Sequence, residues 1–247
     1  MPVRERLFRR AGPHWPEPPL RTLLSAGKGS ADLRVRMVLF LLFAQSFAVG
    51  ANGVPTTTAN WAKLLGLPLG RDHRASSFRR INVARVALIR QQWIQPARGG
   101  LITLLDPATR HPYRPETEHD NLSRRLRRGE FLLAHSSRSA RTHPEHWELK
   151  PVAVPAELWA NGWVTALSGR ALVAYLVLLN HRRDNGISTV PKIRTHQYGL
   201  NADLWASAVR ELERRLLVRT HNLGQSGVVT RIGYEIRDDR PQKPALS

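Results

Sequence analysis

The stretch Ala202-Asp203-Leu204-Trp205-Ala206-Ser207-Ala208-Val209-Arg210-Glu211-Leu212-Glu213-Arg214-Arg215-Leu216-Leu217-Val218 decides the fold. Leu204 or Trp205, Ala208, Leu212 and Leu216 recur at helical spacing, which turns one face of a helix over Ala202 to Leu217 toward a core. Asn201, Ser207, Arg210 and Arg214 fall on the opposite face. After Leu217 the pattern becomes that of strands. Val218 to His221 and Val228 to Ile236 flank Gly224-Gln225-Ser226-Gly227 and predict a hairpin. Upstream, Ser168 can cap a buried helix from Gly169 to Asn180, Asn185-Gly186 make a turn, and Val190 to Tyr198 form a second helix that Gly199 stops. An extended segment, Trp147 to Val154, and a short helix over Ala156 to Trp159 started by Pro155 lead into this unit.

The first half repeats that order. Apolar residues from Leu33 to Phe47 cover nearly all of a helix surface, as expected for a central helix, and Gly50 and Gly53 break it. Thr56, Thr57 and Thr58 are N-cap candidates for a helix from Ala59 to Leu65, which ends at Gly66 in the place of a left-handed C-cap. A third helix runs from about Ser76 to Gln92, with Phe78, Ile81, Ala84 and Leu88 as its inward stripe. Trp93-Ile94 and Leu101 to Leu105 make two strands joined through Gly99-Gly100. Val54 precedes Gly66-Leu67 by the interval at which Ile187 precedes Gly199-Leu200, an offset of 133. Ala84, Leu88, Arg90 and Ile94 align with Ala208, Leu212, Arg214 and Val218 at an offset of 124. The difference places nine extra residues in the first half, in the Gly70–Ser76 region.

A chain of 247 residues exceeds the common size of one domain, and its 42% of apolar residues, with seven tryptophans, can build real cores. Lys and Arg number 38 against 19 Asp and Glu, a formal charge of +19 that calls for an anionic partner, nucleic acid first. Lys stands only at positions 28, 63, 150, 192 and 243. The remaining arginines fit a GC-rich genome as well as they fit bidentate contacts. There is no cysteine, which removes disulfides, thiolate metal sites and cysteine nucleophiles and fits a cytosolic protein. The longest apolar run, Met37 to Val49, is shorter than the roughly 20 residues a membrane span needs. The basic N-terminus lacks the apolar segment of a secretory signal.

These readings divide the chain into a flexible, basic, Pro-rich arm (1–30), a first module (31–106), a basic linker (107–147), a second module (148–238) and a tail (239–247). The linker carries Arg124-Arg125-Leu126-Arg127-Arg128, Arg138 and Arg141. It reads as a partly helical segment, Asn121 to Arg128, and a strand, Glu130 to Ala134. Its arginines suit either a solvated face or a clamp on phosphates.

The run Val209 to Val218 resembles the end of the recognition helix and the first wing strand of bacterial winged-helix regulators. Two such modules in one small basic chain resemble the replication initiators of bacterial plasmids, which use tandem winged helices to grip consecutive major grooves. The resemblance implies a mainly α fold with small β-hairpins (α+β), a tandem winged helix-turn-helix. No initiator signature beyond the duplication is present, and the nine-residue insertion departs from the pattern. In this fold the exposed face of helix three enters the major groove and the wing lies along the backbone. The implied DNA-binding residues of the first module are Arg74, Ser76, Ser77, Arg79, Arg80, Asn82 and Arg90. In the second they are Asn201, Ser207, Arg210 and Arg214, with Asn201 and Arg210 suited to adenine and guanine. Lys192, Arg194, Thr195 and His196 on helix two would fix register through the DNA backbone.

Catalysis is not expected. His143-Pro144-Glu145-His146 is the one close histidine pair beside a carboxylate, but Pro144 and the lack of a third ligand argue against a metal. Neither a phosphate-cradling Gly-rich loop with Lys nor an elbow of the Gly-x-Ser-x-Gly type occurs, and no His-hydrophobic-His pair supports a tyrosine nicking enzyme. The expected protein is a non-enzymatic binder of double-stranded DNA without cofactors, cytoplasmic and associated with nucleoid or plasmid. Its role is replication initiation on a plasmid or mobile element. The alternatives are transcription regulation of such an element and protein docking in a partition or replication complex. The Trp-rich segment 157–163 supports docking if it is exposed. A homodimer, or replication and partition proteins, are the further partners left open, and no membrane is expected.

Overall fold

The computed structural model of the chain describes residues 2–3, 19–25, 31–47, 54–55, 57–97, 100–106, 110–113, 152–182, 186–190, 195–226 and 229–245. Within them helices alternate with small antiparallel sheets, a mixed α and β architecture. The first half runs α2 (Ala31–Phe47), β2 (Val54–Pro55), α3 (Thr58–Leu64), α4 (Arg74–Arg90), β3 (Ile94–Pro96) and β4 (Leu101–Leu104). It is preceded by β1 (Pro2–Val3) and α1 (Pro19–Ser25). The second half opens with β5 (Val152–Ala153), α5 (Glu157–Ala160) and α6 (Trp163–Ala166). It continues with α7 (Gly169–Asn180), β6 (Ile187–Ser188), a 3-10 turn over His196–Tyr198, α8 (Ala202–Arg214), β7 (Val218–Ser226) and β8 (Val229–Ile236).

The two halves share one topology. In the first sheet the strand order is β2-β4-β3 and in the second it is β6-β8-β7. Each is a hairpin whose second strand is flanked by a short strand from between the first two helical elements. Ile94 pairs with Leu104, and its counterpart Val218 pairs with Ile236.

Helix ends repeat as well, down to individual hydrogen bonds. Thr57, Ser168 and Asn201 cap α3, α7 and α8, each accepting from the backbone N–H three residues on. The turn after α3 sends Leu67 N–H to Ala62 O and Gly66 N–H to Lys63 O. The 3-10 turn sends Leu200 N–H to Thr195 O and Gly199 N–H to His196 O. Both glycines have positive φ, 66° and 76°, where a side chain is strained. At Gly199 there is a second constraint: a Cβ would stand 3.1 Å from Arg21 Cα. The third helices close by the same pair of bonds, Trp93 N–H to Leu88 O with Gln92 N–H to Ile89 O, and Leu217 N–H to Leu212 O with Leu216 N–H to Glu213 O. The left-handed residues here are Gln92 (φ 57°) and Leu216 (φ 60°). Both offsets read from the sequence are therefore kept by backbone geometry, and the nine-residue difference lies between α3 and α4.

Where the sequence suggests two modules joined by a linker, one buried cluster runs through both halves. The two central helices, α2 and α7, pack on each other. Gly169 N–H donates to Asp32 Oδ1 (2.7 Å), and the approach is so close that a Cβ on Gly169 would lie 2.8 Å from Asp32 Cα. Arg36 Nη2 donates to Leu167 O (2.9 Å), and burial lowers its pKa against the opposing pull of Asp32. Trp159 stacks on Phe43 at 5.0 Å and donates its Nε1 to Leu39 O (3.0 Å).

The ends of the chain correct two expectations. Residues 1–30 were expected as a flexible arm, but residues 19–25 form a helix that starts at Pro19 and buries Leu20 and Leu23. Apolar burial decides this: α1 lies on α2, α7 and the 3-10 turn. Trp93 Nε1 donates to Thr22 Oγ1, and the fully buried Arg34 donates its Nε to Leu23 O. Pro2–Val3 pair with Val152–Ala153. The expected tail, 239–247, packs over residues 240–245: Trp163 Nε1 donates to Lys243 O, and the Arg240 guanidinium lies 4.9 Å from the Trp163 ring.

Candidate nucleic-acid interface

α4 is built by a buried stripe of Ser77, Ile81, Ala84 and Leu88, at spacings of three and four. The stripe differs from the expected one at its first turn, where Ser77 is buried and Phe78 only half-buried. Ser77 Oγ donates to Pro68 O (2.8 Å), so the inserted loop draws Ser77 inward and removes it from the expected contact set. Phe78 lies instead under the Arg74 guanidinium, 5.3 Å from its ring centre.

The rest of the expected set on α4 is exposed: Arg74, Ser76, Arg79, Arg80, Asn82 and Arg90. Ser76 Oγ donates to His73 O. With half-buried Arg85 the helix carries five arginines and no acidic residue. Val83 and Val86 stand on the same face, 52% and 45% exposed. Sequence reasoning passed over these two valines, although their signal was present. They fall off the buried stripe by about a third of a turn or more in a helix of 3.6 residues per turn.

α8 is built in the same way and finished differently. Trp205, Ala208, Val209 and Leu212 are buried, and Trp205 Nε1 donates to Tyr234 Oη (3.0 Å). Leu216, expected in the core, is 53% exposed because the left-handed turn ends the helix before it. Ser207, Arg210 and Arg214 are exposed. Both arginines fold back along the helix, Arg210 Nε toward Ala206 O and Arg214 Nε toward Arg210 O. Asn201 is exposed too, but its Oδ1 already accepts from Leu204 N–H (2.9 Å) as the helix cap. That occupies one half of the donor and acceptor pair an adenine contact requires.

The charge of α8 is also unlike that of α4. Asp203, Glu211 and Glu213 stand against Arg210 and Arg214. Glu211 turns inward, where its two oxygens accept from Ser168 N–H (2.8 Å) and Ser168 Oγ (2.6 Å) at the start of α7. The expectation that both third helices present the same basic face is met by α4 alone.

Of the expected helix-two contacts, His196 is exposed. Thr195 is 3% exposed, which corrects its placement: it opens the tight 3-10 turn whose closure accepts Leu200 N–H, and its side chain is packed inside. Lys192 and Arg194 lie outside the described residues, as do Arg124–Arg128, Arg138, Arg141, His143 and His146. β7 and β8 are long, with exposed Arg219, Thr220 and Asn222, while His221 Nε2 and Glu235 Oε2 meet at 2.7 Å across the strands.

The segment 157–163, which would support a docking role if exposed, is largely inside. Leu158, Trp159 and Trp163 are buried, both indoles donating to backbone carbonyls. Among the described residues no helix is long and apolar enough to cross a membrane, and no group of three or more potential metal ligands stands together. Comparison of the chain with protein-family models, curated proteins and solved structures finds no match.

Proposed function

We propose that the protein is a sequence-specific binder of double-stranded DNA and that each half is a winged helix. In this reading α4 and α8 are the recognition helices and the β3–β4 and β7–β8 hairpins are the wings. The repeated order of helix, strand, two helical elements and hairpin supports it, with the short strand in each half seated against the second hairpin strand. The observation that carries it is α4. A surface helix that presents four exposed arginines and a half-buried fifth without a single acid repels itself and gains most by lying against phosphates and base edges. The role that follows from the resemblance to tandem winged-helix initiators is replication initiation on a plasmid or other mobile element.

The test is fluorescence anisotropy with duplexes selected from a random library, titrated at several salt concentrations. Affinity falls with salt, the logarithmic slope being about −0.9 per phosphate neutralised. Replacing Arg79, Arg80 and Arg210 together by Ala lowers affinity sharply. Equal binding by this triple variant would refute the placement. Directly repeated sites from an origin-like region support initiation; an inverted repeat at a promoter supports a regulator.

A further inference from the structure

Resting on the DNA-binding reading, we infer that sequence is read by α4, with Val83 and Val86 as its specificity-determining residues for thymine, while α8 and its long hairpin hold the duplex. The matched bonds at Gln92 and Leu216 make the two helices directly comparable. At the place of Arg79 the second half has Asp203, at Arg80 the half-buried Leu204, at Val83 Ser207 and at Val86 Arg210. The leading half of α8 thus holds a carboxylate and no cation, and its Asn201 is committed to capping. Asp203 at the leading end of α8 repels phosphates, so in this half the contacts that hold the duplex fall to Arg210 and Arg214 at the trailing end and to the exposed Arg219, Thr220 and Asn222 of the hairpin.

On α4 the exposed face is continuous. Val83 lies one turn after Arg79 and Arg80, and Val86 and Arg90 follow along the same side. Isolated exposed valines are ordinary on a protein surface. Two valines enclosed by Arg79, Arg80 and Arg90 are a different case, because the arginines bring them against nucleic acid. In the major groove the one apolar group on a base edge is the thymine 5-methyl, while arginine pairs with guanine O6 and N7. The face therefore fits a half-site in which thymine adjoins guanine.

The experiment selects duplexes with wild-type protein and with the V83A/V86A, R79A/R80A and S207A/R210A variants, thermal melting confirming that each is folded. Deoxyuridine, which lacks only the methyl, then replaces each selected thymine. The expected result is a motif containing thymine, with binding by wild-type protein weakened about fourfold per methyl lost. The V83A/V86A variant does not sense that replacement. If the motif survives in V83A/V86A and R79A/R80A and disappears in S207A/R210A, α8 is the reader and the inference is overturned while the proposed function stands. Binding without any motif overturns it together with the sequence-specific part of the proposed function. If V83D/V86D shifts the free protein from dimer to monomer in sedimentation, the valines are a contact between copies and the inference also fails. Absence of all duplex binding removes the proposed function, and this inference with it.

Discussion

α4 and α8 end on the same pair of backbone bonds with a left-handed residue at the same place, Gln92 and Leu216, yet α4 carries five arginines and no acid while α8 sets three acids against two arginines. The hairpins diverge in the opposite sense, with three and four residues in β3 and β4 against nine and eight in β7 and β8. Ala84 and Leu88 match Ala208 and Leu212 because their places are buried, and burial tolerates only side chains that fill the space. The outer faces have no such constraint. The shared geometry follows from packing, while the outer faces differ, and under the proposed DNA-binding reading those differences assign the two halves different tasks.

The comparison can be broken at its largest effect by testing whether one core serves both halves. Trp159 belongs to the second half but stacks on Phe43 and bonds Leu39 of the first. Trp159→Ala is expected to cost about 3–5 kcal/mol, seen in calorimetry as a single transition moved to lower temperature. Two separate transitions would mean that the halves fold independently. Next come the reading faces: R79A/R80A loses about 1–3 kcal/mol of specific binding for each arginine, and R210A/R214A loses less. Equal losses in anisotropy titrations would remove the asymmetry.

The caps offer a smaller and symmetric effect. Thr57→Ala and Asn201→Ala each lower stability by about 0.5–2 kcal/mol in chemical denaturation, whereas Asn201→Ser retains it. A cost for Asn201→Ala in DNA affinity alone, with stability untouched, would return Asn201 to the base-reading set. Smallest are Gln92→Gly and Leu216→Gly, which relieve the left-handed strain while loosening the unfolded chain. A net gain of about 0.5 kcal/mol at both positions is expected in thermal melts. A gain at one position alone would show that the two terminations are not equivalent.

Helices α2 to α5, α7 and α8 were legible in the sequence because their signals are local, whereas α1 and α6 were not, and the helix expected over Val190 to Tyr198 is described only as the 3-10 turn at its end. Ser168 and Thr57 precede apolar stripes, and Gly66 and Gly199 stand where a chain must turn left-handed, while Asn201, read as a base contact, proves to be the third cap. The repeat was legible for the same reason, through two offsets that the hydrogen bonds of the helix ends reproduce. Most of the expected contact residues on α4 and α8 are exposed because helical periodicity sorts inside from outside. Ser77 and Thr195 failed because loop closure, which periodicity does not report, draws them inward.

By itself the sequence determined the order of the main helices and hairpins, the duplication, the charge excess and most of the residues able to face solvent, since capping, periodicity and net charge act over a few residues or over composition. Only the tertiary structure decided that α1 is part of the core, that Trp159 and Arg36 lock α2 to the second half, and that Glu211 is turned inward, where Ser168 satisfies both of its oxygens. These are relations between residues far apart in the chain, and they exist only once apolar burial has brought those residues together.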